Sequence, residues 1–102
     1  NIGDLSGLTI AYKAYKASLN GKSSPIIDGL TGDQRFFLGF AQIWRSKKVE
    51  KSIRNGIATD PHSPGEYRAI GSLSNMDEFY EAYNVQPGDA MYIAPEKRVK
   101  IW

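Results

Sequence analysis

The sequence contains no cysteine and a single histidine, His62, in 102 residues. The missing cysteine excludes disulfides, thiolate metal sites and a cysteine nucleophile. One histidine cannot by itself supply the several His or carboxylate ligands that a metal site needs. No apolar run approaches the roughly 20 residues required to span a bilayer, and no secretory leader is visible. Nor is there a dense stripe of one charge. Thirteen basic residues face eleven acidic ones, a net of +2. The only basic cluster is Lys47, Lys48, Lys51 and Arg54, and Glu50 interrupts it. That pattern suits a solvated helix face and argues against a nucleic-acid partner.

What is present suits one modest core. A chain of this length makes a single domain and buries roughly two thirds of the surface its unfolded form exposes. Its hydrophobic fraction of 41% and aromatic fraction of 12% argue for packing rather than disorder.

Leu5, Leu8, Tyr12, Tyr15 and Leu19 recur at spacings of three and four, which predicts a helix over about 2–19 stopped by Asn20-Gly21. Gly21, Pro25, Gly29 and Gly32 mark a loop. Asp33 is the expected N-cap of a second helix carrying Phe36, Phe37, Phe40, Ile43 and Trp44 on a broad apolar face. Val49 and Ile53 predict a short third helix ending near Gly56. Residues 59–73, punctuated by Pro61, Pro64, Gly65 and Gly71, read as non-helical. Ser74 with Asp77 approximates a capping box for a fourth helix through Phe79, Tyr80 and Tyr83 to about Asn84. Residues 85–102 read as irregular. The expectation is a mainly α chain of four helices joined by long loops.

The residues able to do chemistry cluster in Asp60-Pro61-His62-Ser63-Pro64-Gly65-Glu66-Tyr67-Arg68. Prolines on both sides of His62-Ser63 restrict the backbone and can hold an imidazole at a defined place. The planar fork of Arg68 can grip a carbonyl or carboxylate bidentately. A histidine donor beside an arginine clamp suits a developing oxyanion and a peptide backbone. Residue chemistry alone leaves two readings open, because a loop histidine and an arginine equally serve as solvated surface groups. A Ser63–His62–Asp60 triad fails, since near neighbours in one loop seldom converge that way. No phosphate-binding glycine loop is present.

This segment resembles the D-x-H-S-P-x-x-x-R motif of the neprilysin family of zinc endopeptidases. Three further blocks agree in order. Asn1-Ile2-Gly3-Asp4 is similar to the end of the family's E-N-I-x-D motif. Phe36-Phe37-Leu38-Gly39-Phe40-Ala41-Gln42-Ile43-Trp44 resembles its F-F-L-x-x-A-Q-x-W helix. Met91-Tyr92 through Arg98-Val99-Lys100-Ile101-Trp102 is similar to its C-terminus.

The resemblance implies that residues 1–102 form the C-terminal part of a thermolysin-like catalytic domain. The zinc-binding helix and the glutamate ligand of E-N-I-x-D would precede Asn1, and the start without Met is in keeping with a fragment. By the same resemblance His62 is the catalytic histidine that donates to the tetrahedral oxyanion. Asp4 orients a metal-ligand histidine. Arg68 holds a substrate backbone carbonyl, and Ile43 and Trp44 line the pocket for a hydrophobic residue after the scissile bond.

Zinc is then a cofactor of the parent enzyme, peptides are its substrates, and the chain alone is expected to be inactive and to hold no zinc tightly. An extracytoplasmic parent is implied, and exposed apolar surface on this chain is expected to promote self-association. Arg45 and Val99 stand where animal relatives carry cysteines, which points to a bacterial relative. The alternative expectation is a small helical module that binds a protein partner through Phe36, Phe40 and Trp44 without catalysis.

Overall fold

The computed structural model describes residues 1–101 of the chain. Trp102, the last residue of the fourth resemblance block, lies outside the described residues. Five α-helices follow one another: α1 (Ile2–Ser18), α2 (Gly32–Ile43), α3 (Glu50–Thr59), α4 (Gly65–Leu73) and α5 (Asp77–Tyr83), with a 3₁₀ turn at Pro95–Lys97. Among the described residues there is no strand. An isolated bridge joins Ile27 to Leu30 across Asp28 and Gly29, both at positive φ.

The core is aromatic. The predicted stripe of α1 turns Leu5, Leu8 and Tyr12 inward. From α2 comes Phe37, 1% exposed and the most deeply buried large side chain. Its ring stacks on Tyr12 at 5.4 Å and meets the edge of Phe79 at 5.8 Å. Phe36 packs on Tyr12 and Tyr15, and Phe40 and Ala41 also lie against this core. The helix face offered by sequence as an interaction surface is therefore largely spent on packing. α4 closes the arrangement by packing on both α1 and α2, while α5 packs on α2.

Several expected boundaries move, each for a local reason. α2 is capped by Thr31, not Asp33. Thr31 Oγ1 accepts from Gln34 N at 3.1 Å, and Gln34 Oε1 accepts from Thr31 N at 3.0 Å, which satisfies two otherwise unpaired donors. Asp33 instead ties α2 to α1, accepting from Tyr12 Oη at 2.9 Å and from Lys16 Nζ at 3.3 Å. α3 runs past Gly56 to Thr59 and ends where Asp60 precedes a proline.

The largest difference is α4, in a stretch expected to be non-helical. Pro64 sits at its N-cap, where its missing N–H costs nothing, and Gly71 is carried by the burial of Ala69, Ser72 and Leu73 around it. Ser74 closes α4 instead of opening α5, and the first residue before α5 is Met76. The described residues thus form five helices where the pattern predicts four, because a short helix whose support is tertiary leaves little periodic trace.

Residues 85–101 are irregular yet well tied. Arg98, 8% exposed at its side chain, lies 3.5 Å over the Tyr80 ring. It donates to Asp77 Oδ1 at 2.7 Å and to the Ile93 carbonyl at 2.9 Å. Lys100 also pairs with Asp77. Tyr80 Oη donates to the Ser74 carbonyl and accepts from Ile93 N, both at 2.8 Å.

Candidate active site

α3 lies apart from the core and buries none of its residues. Between it, the end of α2 and the start of α4 runs an open groove of about 890 Å³, whose walls include Ile43, Trp44, Ile53, Ile57, His62, Arg68 and Ile70. Four of the five residues singled out by sequence converge here. His62, Arg68, Ile43 and Trp44 face the groove, and Asp4 reaches its edge through Arg68. Ile43 is 71% exposed, so it forms groove wall and not core.

Asp4 sits in the first turn of α1. Arg68, on the second turn of α4, donates to it in bidentate fashion, from Nε to Oδ2 and from Nη2 to Oδ1, both at 2.7 Å. The pair is mostly shielded, at 11% exposure for Asp4 and 21% for Arg68. Hydrogen bonding to Arg68 holds the Asp4 carboxyl below its ordinary value and raises the guanidinium in turn. A guanidinium has five N–H donors. Asp4 takes two of them, and the rest remain for a ligand. The Trp44 ring covers the group, with its centroid 4.0 Å from Arg68 Cζ.

His62 sits on the loop between α3 and α4, its side chain 62% exposed. Asp60 organises it twice over: Oδ1 accepts from the His62 backbone N–H at 2.9 Å and lies 2.8 Å from ring Nδ1. Those two contacts, the backbone N–H first, hold the Asp60 carboxyl below its ordinary value. Asp60 is therefore ionised near neutral pH, so Nδ1 must carry a hydrogen, and Nε2 is left to reach a ligand. By sequence Asp60 fails as a triad member, and its orienting role is not visible there. The D-x-H spacing, which lets an Asx-type turn fold back on the ring, was the available signal. The loop is further tied to the head of α1, where Asn1 Nδ2 donates to Ser63 Oγ at 2.9 Å.

Among the described residues no group of three or more His, Asp or Glu is placed to hold a metal ion. The one imidazole is already engaged by Asp60 at Nδ1. These residues do not by themselves make a zinc site. What they can do is donate hydrogen bonds, from His62 and Arg68 into one groove.

A sequence model described as peptidase family M13 matches residues 1–99. The chain belongs to peptidase family M13. Family relatives agree along its whole length. Endothelin-converting enzyme 1 of Cavia porcellus is 45% identical over all of the chain, which covers 14% of that protein. Neprilysin-3 of Drosophila melanogaster is 38% identical over all of the chain, covering 13% of it. The inhibitor complex of the Mycobacterium tuberculosis zinc metalloprotease Zmp1 is 53% identical, superposes with a TM-score of 0.96, and is covered to 16% of its length. The chain thus spans about a seventh of the M13 relatives it matches. The bacterial family member exceeds the animal ones in identity, in keeping with the absent cysteines.

Proposed function

We propose that this chain is the C-terminal part of the catalytic domain of a zinc endopeptidase that cleaves peptides at the amino side of hydrophobic residues. In this role it grips the substrate backbone and stabilises the oxyanion. The observation that carries the reading is the convergence of His62 and Arg68 on one groove, beside the head of α1. Membership of M13, and the zinc metalloprotease among its structural neighbours, support it.

On this reading His62 acts in its doubly protonated form: Nδ1–H is held by Asp60, and Nε2–H donates to the oxygen that becomes negative when the scissile carbonyl turns tetrahedral. Asp60 fixes the ring by accepting from Nδ1. Arg68 donates its remaining N–H groups to a substrate backbone carbonyl after the scissile bond. Asp4 holds Arg68 by one edge, and each of its oxygens keeps a lone pair for a metal-ligand histidine supplied elsewhere in the protein. Ile43 and Trp44 border the space for the hydrophobic side chain. Zinc in such an enzyme supplies Lewis acidity and an activated water; its ligands belong to residues outside this chain.

The test is peptide hydrolysis by the full-length enzyme. His62→Ala is expected to lower kcat by about 10²–10³-fold, as for loss of one oxyanion donor. Arg68→Ala is expected to lower kcat/KM by roughly 10–100-fold through lost charge-assisted hydrogen bonds. Wild-type kcat/KM in both folded variants would overturn the reading.

A further inference from the structure

We infer that Trp44 and Gly65 are positioning residues that set the guanidinium of Arg68, and that the indole acts through this arginine and not only as a pocket wall. The inference rests on the proposed role of Arg68 in peptide hydrolysis.

The packing of α4 against the end of α2 carries it. Gly65 opens α4 directly against the C-cap of α2. A Cβ there would stand 2.9 Å from the Trp44 carbonyl oxygen and 3.4 Å from Trp44 Cβ. The nearest atom is backbone, which cannot swing aside as a side-chain tip does. Gly65 is not at positive φ, so the glycine answers a need for space and not for a special backbone shape. With α4 started at this distance, the residue three positions on falls on the same helix face. That residue is Arg68, and its Cζ lies 4.0 Å from the centre of the Trp44 ring.

Two restraints then act at right angles in function. Asp4 fixes the edge of the guanidinium by two 2.7 Å hydrogen bonds. A carboxylate gripped along one edge still permits the fork to hinge about that edge. The indole covers a face and removes the hinge, so the unused N–H groups point in one direction. Trp44 itself is held by packing, including the Phe40 ring at 6.4 Å and 72°. Its Nε1–H has no acceptor among the described residues, so the ring contributes its face and not its hydrogen bond.

A pocket wall needs apolar volume, which leucine supplies. A positioning platform needs a π face, which phenylalanine keeps and leucine lacks. The experiment uses the full-length enzyme and a set of peptides that differ only in the residue after the scissile bond. Trp44→Leu is expected to lower kcat/KM about tenfold, by a similar factor for every peptide. Trp44→Phe should recover most of that loss. In a double-mutant cycle, Trp44→Leu added to Arg68→Ala should cost little beyond Arg68→Ala alone.

Gly65→Ala lies behind the stack and offers a second route to the same answer, including when Trp44→Leu fails to fold. It is expected to lower kcat/KM on all peptides and to be silent in the Arg68→Ala background. The positioning role is overturned if Gly65→Ala keeps the wild-type rate. It is equally overturned if Trp44→Leu re-ranks the peptides and multiplies with Arg68→Ala. A wild-type rate for Arg68→Ala alone instead overturns the reading on which the inference rests, so the two failures are distinguishable.

Discussion

Asp60 Oδ1 accepts from both the backbone and the ring of His62, and this doubly used oxygen makes the loop histidine a directed donor. An imidazole so exposed has several rotamers open to it, and only a partner can hold it in one. Asp60→Ala removes that partner and frees the ring. In the full-length enzyme it is expected to lower kcat by about tenfold or more while leaving KM near wild type, since the lost effect is on proton placement and not on ground-state grip. Steady-state kinetics on one peptide decide this, and a raised KM with unchanged kcat would count against the role. His62 and Arg68 were readable as candidates from residue type and motif. The engagement of Asp4 by Arg68 was not, because nothing local to Asp4 announces a partner 64 residues away.

The helices differ in how much of them the chain order reveals. α1 was legible because its stripe runs for four turns and a positive-φ pair, Asn20 and Gly21, follows it. α2 is legible in extent, but the sequence points to a cap two residues late. Asp33 is a good cap former, and only the reciprocal bond between Thr31 and Gln34 distinguishes the two. Thr31→Ala is expected to destabilise the chain by about 1 kcal/mol, with Thr31→Ser nearly neutral. Asp33→Asn should act differently, by weakening the tie to Tyr12 and Lys16. Urea unfolding followed by circular dichroism separates these outcomes. α4 was not legible, because a nine-residue helix with two glycines draws its stability from Ala69, Ser72 and Leu73 being buried. That burial depends on where α1 and α2 lie.

At the scale of the whole molecule, two carboxylates join distant parts of the chain through ion pairs. Asp4–Arg68 ties the head of α1 to α4. Asp77, with Lys100 and Arg98, ties the irregular tail to α5. Both carboxyls are held below their ordinary value of 3.8, Asp4 by Arg68 and Asp77 first by Lys100 and then by Arg98. A depressed folded-state pKa gives stability that is fully present above the unfolded value. It is lost as pH falls below 3.8 through the folded values. The urea midpoint is therefore expected to hold steady from about pH 7 to about pH 5 and to fall on further acidification. The double variant Asp4→Asn with Asp77→Asn should start lower at neutral pH and fall less steeply. Parallel acid curves for the two proteins would refute the assignment.

The order of residues alone determined the aromatic core helices, the mainly α class and the four motif blocks that carry the M13 resemblance. Helical periodicity and short motifs are properties of near neighbours, so they are written along the chain. Tertiary structure alone decided that α4 is a helix and that Asp4 and Trp44 meet at Arg68. It also left Ile43, Ile53 and Ile57 bordering an open groove. Those outcomes depend on which surfaces the core brings within a few ångströms of each other. No spacing rule encodes such distances until the helices have packed.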